Sequence, residues 1–220
     1  MVSAAFKALG DLLSPSFRSI LWKAIGLSLL LFIAVFAAVQ AVFWFLTFVP
    51  WPWLETLMAI GAGLGLLVAF FFLMAPVTSI FAGLYLDTVA GKVEARHYAA
   101  DKPGVPLSGW TAISTSLQFA VLVLFANVLA LPLVFTGFGV VVLLVINAYL
   151  ISREYFEMVA MRFMPPRAAK ELRKTNAMAV FVSGFLPAAM SLVPVLNLTV
   201  PLFATSYFVH IFKRVARTSA

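Results

Sequence analysis

The chain has 220 residues, of which 64% are hydrophobic and 10% charged, with a mean hydropathy of +1.08. Ordinary soluble domains are roughly 45–50% apolar and about 25% charged, so a soluble globular protein is excluded and the lipid bilayer becomes the solvent for most apolar side chains. The net charge of +7 is not a nucleic-acid signature, because its placement matters more than its sum, and the absence of cysteine removes disulfides and thiolate chemistry.

The first dozen residues place Val2, Phe6, Leu9, Leu13 and Phe17 at helical spacing. Residues 1–13 therefore read as an amphipathic helix lying in the cytoplasmic interface. No small-residue cleavage site follows a short apolar region, which excludes a cleaved signal. In Leu13-Ser14-Pro15-Ser16-Phe17-Arg18-Ser19, Ser14 suits an N-cap and Pro15 the first helical position, so a long helix is predicted to begin there. Its first turn would offer the free amides of Ser16, Phe17 and Arg18, two hydroxyls, a guanidinium and the positive end of the helix dipole. Two readings of that turn stand side by side: a ready anion site, or a well-capped helix with a snorkelling arginine.

Beyond it, four runs carry no Asp, Glu, Lys or Arg: Ala24 to Leu54, Thr56 to Leu86, Pro103 to Ser152 and Thr175 to Phe212. A spanning helix needs about 20 apolar residues, so each of the first two runs holds one, giving long spanning helices over 15–50 and 53–100. The short connection between them carries Glu55 and no base, whereas all 15 basic residues fall in the segments before, between and after the other runs. The positive-inside rule places those segments, and both termini, in the cytoplasm. The Trp51-Pro52-Trp53 loop is then external, with Trp44 and Phe48 near the interfacial belt; the alternative is that these rings pack a turn. Gly61 and Gly65, flanking Gly63, permit close helix approach in the second run.

The third and fourth runs begin and end on the cytoplasmic side, so each must return. They are predicted to be helical hairpins over 110–152 and 175–212. The third is expected to break at Leu131-Pro132 and at Thr136 to Gly139, the fourth at Pro187, Pro194 and Pro201, with Asn197 between the last two. Short arms and uncharged tips suit partial insertion, with the tips buried against protein; a full double crossing by the third run is the other option. Residues 153–174 form a basic cytoplasmic connection, broken at Pro165-Pro166 and continued by a short basic helix. No repeat or linker divides the chain, so a single membrane domain spans residues 1–220.

Inside the runs, His210 is the one titratable group of its kind, and its neighbours Lys213 and Arg214 suggest a solvated side chain near the interface. The remaining polar groups are uncharged, among them Gln40, Asn127, Asn147, Asn197, Thr136, Ser183, Ser191, Thr199 and Thr205, whose expected role is hydrogen bonding across helices. With no acid inside a run, proton coupling through a buried carboxylate is disfavoured. Histidines at 97 and 210 and scattered carboxylates offer no metal spacing and no triad, so no catalytic residue, metal or cofactor is expected.

Three stretches carry a likeness: Leu13 to Arg18, Ala75 to Glu94, and Arg153 to Glu157 with Pro194 to Pro201. In order and spacing they resemble the CysZ family of bacterial inner-membrane sulfate permeases. The resemblance implies two long spanning helices and two partly inserted hairpins, sulfate uptake feeding cysteine biosynthesis, and a homo-oligomer in the bacterial inner membrane. It also implies sulfate, or a related oxyanion, bound at Ser16, Phe17, Arg18 and Ser19. The family's glycine is Ser16 here and its second arginine is Ser19. Losing a charge-assisted bond costs about 1.5–3 kcal/mol, so a less selective anion path is expected. The other class of reading is a membrane scaffold or assembly factor whose basic face, Arg167 to Lys174, docks a partner or anionic lipid.

Overall fold

The computed structural model describes residues 1–46, 61, 85–134 and 139–218, and these contain helices and turns with no strand among them. In chain order the helices are α1 (Val2–Leu12), α2 (Pro15–Leu46), α3 (85–97), α4 (Gly109–Val134), α5 (Gly139–Ala160), α6 (Pro166–Thr175), α7 (Ala177–Ser191), α8 (Pro194–Asn197) and α9 (Val200–Thr218). The Trp51-Pro52-Trp53 loop, most of the second long helix with Gly63 and Gly65, and the turn at Thr136 to Phe138 lie outside the described residues.

The core is built around α5 and α9. Helix α5 packs against α4, α6, α7 and α9, and α1 lies on α9. Every residue of α9 from Val200 to Lys213 is buried, which accounts for its all-round apolar character over most of its length. Phe156 of α5 meets Phe212 of α9 edge-on, and Phe163 stacks on the same ring at a centroid distance of 4.9 Å. Helices α5 and α7 approach closely at Gly184, where an added Cβ would sit 2.0 Å from the Ala148 carbonyl oxygen. Only glycine lets these two backbones come together there, as in other small-residue contacts between membrane helices.

Helix α1 has two faces. Ala4, Ala8 and Asp11, spaced at one per turn, are buried, while Val2, Phe6, Leu9 and Leu13 are exposed. The small face docks on the bundle and the large apolar face is exposed. Phe17 departs from that stripe: it belongs to α2 and is buried in the core.

Several boundaries differ from those read off the charges. Helix α5 does not end at Ser152 but continues to Ala160, carrying Arg153, Glu154 and Glu157 on a helix otherwise long and apolar enough to cross a membrane. Its charges are tolerated there because partners meet some of them: Glu157 accepts from Arg173 of α6. Pro132 does not break α4, which runs on to Val134, and Pro187 is accommodated inside α7. The breaks between α7 and α9 fall where Pro194 and Pro201 place them, at Leu192 and Val193, where extended backbone at Val193 opens the one-turn α8, and at Leu198 and Thr199 before α9. A proline after an extended residue starts a new turn.

The hydroxyls of Ser183, Ser191, Thr199 and Thr205 donate to carbonyls three or four residues back in their own segment, and Ser183 of α7 also meets the Tyr207 hydroxyl of α9. Such back-bonding satisfies a buried hydroxyl locally.

Candidate anion site at the start of the long helix

Helix α2 begins at Pro15, where the sequence places it. The capping geometry is different from the one expected. The Ser14 hydroxyl turns back and donates to the Asp11 carbonyl at 2.7 Å, as does the Ser14 amide at 2.9 Å. The Ser14 carbonyl in turn accepts from the amides of Phe17, at 3.0 Å, and Arg18, at 3.3 Å. Two of the three amides expected to be free are thus engaged within the turn, and Ser14 ties α1 to α2 instead of capping α2 with its side chain.

Phe17 and the pair Arg18 and Ser19 do not share one surface, and the Ser16 side chain lies outside the described residues. Phe17 and Ile20 point into the core, while Arg18 and Ser19 are exposed on the adjoining face, with Trp22 and Lys23 exposed one turn on. Phe17 therefore contributes packing, and the Arg18 and Ser19 side chains are exposed. The structure adds a cation that sequence reasoning did not select: Lys92 of α3 lies over the Phe17 ring, 6.0 Å from its centroid. Its proximity depends on a contact between α3 and the start of α2, which no local pattern reveals.

Two buried networks fix α3 in this position. Arg162, in the turn after α5, is buried and forks onto Glu94 through Nε and Nη2 at 3.1 and 3.3 Å, while Nη1 donates to Asp87. The Gly104 amide completes the set by donating to Glu94 Oε2. The second network centres on Asp11, whose Oδ2 accepts from Ser206 at 2.7 Å and whose Oδ1 lies 2.9 Å from His97 Nε2 and 3.1 Å from Arg96 Nη1. Burial alone would raise the Asp11 pKa, but His210, His97 and Ser206 outweigh it and hold the carboxyl down at about 2.

His210 is a correction to the sequence reading. It is not solvated but buried, with its ring 4.9 Å from that of His97. On α5, Glu154 likewise has a buried Oε1 with no hydrogen-bond partner among the described residues, so a titratable carboxylate does lie on an apolar helix.

The chain matches, over residues 4–201, the protein family described as Sulfate transporter CysZ/Etoposide-induced protein 2.4. The chain belongs to this family. No curated protein matches it. Membership in the CysZ family makes it a sulfate-transporter-like membrane protein, in a transporter family and not an enzyme family. It agrees with the all-helical architecture and with α5 as a helix fit to cross a bilayer.

Proposed function

We propose that the chain is a channel-like sulfate permease of the bacterial inner membrane, multi-pass and homo-oligomeric, that admits sulfate for cysteine biosynthesis. The observation that carries this reading is the family match across residues 4–201. The start of α2 is its binding point on the cytoplasmic side, where Arg18 and Ser19 are exposed and Lys92 lies nearby. Ser16 belongs to the same first turn, and Phe17, whose amide is engaged by the Ser14 carbonyl, supports the site by packing in the core. Sulfate is a full dianion at neutral pH and needs no proton to bind. A guanidinium, a hydroxyl and the positive end of a helix dipole supply charge-assisted donors without a buried ion partner.

The topology proposed with it has cytoplasmic termini, long spanning helices over 15–50 and 53–100, and the hairpins α4–α5 and α7–α9, whose tips form the constriction. At the second tip Val200 and Pro201 are buried while Leu192, Val193 and Leu196 are exposed, which suits a tip resting partly on its own bundle and partly on a neighbouring copy.

Direct titration of sulfate into the detergent-solubilised protein tests the site. Arg18→Ala removes one charge-assisted bond, of about 1.5–3 kcal/mol, and should weaken binding at least tenfold. Unchanged affinity would remove Arg18 from the site. A scaffold would show no sulfate binding in either form.

A further inference from the structure

We propose that Asp11, His97 and His210 form a binding site for a divalent first-row transition metal such as zinc, joining α1, α3 and α9. The three side chains each present one donor atom, and these atoms lie within 4.8 Å of one another. In a tetrahedral site with bonds of 2.0–2.1 Å the donors stand about 3.3 Å apart. Here Asp11 Oδ1 and His97 Nε2 are 2.9 Å apart, and Asp11 Oδ2 and His210 Nε2 are 3.8 Å apart. Side-chain rotations of about 1 Å bring all three onto one ion.

The independent sign of a missing ligand is His210 Nε2. It is buried without a hydrogen-bond partner among the described residues, on a side chain only 2% exposed. Its other nitrogen, Nδ1, lies 2.7 Å from the Tyr98 hydroxyl. If Nδ1 carries the proton and donates to Tyr98, the Nε2 lone pair faces a carboxylate oxygen with nothing positive between them. If Nε2 carries it, the hydrogen points at an oxygen too distant to accept it well. A cation seated among the three donors resolves the first arrangement, in which Nδ1 carries the proton and the Nε2 lone pair is free to bind it.

The surroundings match those of ligands held in place from behind. Metal-bound histidines characteristically use their second nitrogen in a hydrogen bond that fixes the tautomer, and bound carboxylates are themselves hydrogen-bonded. Tyr98 serves His210 in this way, and Ser206 donates to Asp11 Oδ2. Arg96 also contacts Asp11, through Oδ1, but its side chain is half exposed and can swing into solvent when a cation arrives. Two imidazoles and one carboxylate, with no thiolate in the chain, suit zinc or its neighbours in the series and leave a fourth position for water. Asp11 also accepts both Ser14 donors through its carbonyl, so a bound metal would pin the turn between α1 and α2.

Cobalt(II) is the probe, added to the full chain in detergent after chelator treatment and removal of any affinity tag. The expected result is one cobalt per chain with the visible absorption of a tetrahedral ion, displaced by zinc. His97→Gln and His210→Gln should each weaken binding by about a hundredfold or more, and Tyr98→Phe by about tenfold. His97 is partly exposed and tolerates substitution, so it carries the test if His210→Gln does not fold. Substoichiometric cobalt without the visible bands would overturn the proposal, as would an affinity in His97→Gln equal to that of the unaltered chain. Sulfate binding is not part of the readout, so the outcome is independent of the transport reading.

Discussion

Replacing Asp11 by Asn isolates the energy with which the bundle holds its N-terminal helix. In the folded chain the Asp11 carboxyl is held at about 2 against an ordinary 3.8, because the nearby His210 and His97 and the Ser206 hydroxyl outweigh the cost of burial. A difference of nearly two pK units corresponds to about 2 kcal/mol of stability from the ionised form. The folded-state value is depressed, so this contribution is fully present above about pH 4 and disappears as pH falls from there toward 2. Asp11→Asn removes it. Thermal unfolding of both forms in detergent with a chelator present, followed across pH, should show the variant melting about 4–8 °C lower at pH 7. The gap should narrow steadily below pH 4. Equal midpoints at pH 7, or a gap that widens on acidification, would refute the assignment of Asp11 as the charged centre of this contact.

Two further expectations follow from the packing and the charges. Gly184→Ala drives a methyl into the Ala148 carbonyl and should destabilise the bundle by about 1–3 kcal/mol, read as a lower unfolding midpoint; an unchanged midpoint would mean that α5 and α7 are not in such close contact. Glu154→Gln neutralises the buried carboxylate on α5, and on a channel account sulfate flux and its pH dependence stay as they were; loss of a pH dependence in the variant would make Glu154 a proton carrier.

Much of the architecture is legible in the sequence because it follows from local rules. Ser14-Pro15 marks the start of α2, and the spacing of Val2, Phe6, Leu9 and Leu13 gives the free face of α1. Reading helix ends from charge alone misplaced the end of α5, since Arg153, Glu154 and Glu157 continue a helix whose charges are partly met by α6. Proline positions misled in the same way at two places: Pro132 and Pro187 sit inside helices, which a proline in a membrane helix can do. The Asp11 cluster was invisible for another reason. Asp11 and His97 are separated by 86 positions and Asp11 and Ser206 by 195, so only the docking of α1 and α3 on α9 brings them together. The engaged amides of Phe17 and Arg18 were equally hidden, because the choice of Ser14 to bond backward depends on where α1 ends.

The central claim is passage of sulfate, and flux into vesicles tests it most directly. Purified protein reconstituted into sealed vesicles should take up labelled sulfate down its gradient, with no proton gradient imposed. Uptake equal to that of protein-free vesicles, or uptake that vanishes when an imposed proton gradient is collapsed, would contradict the account.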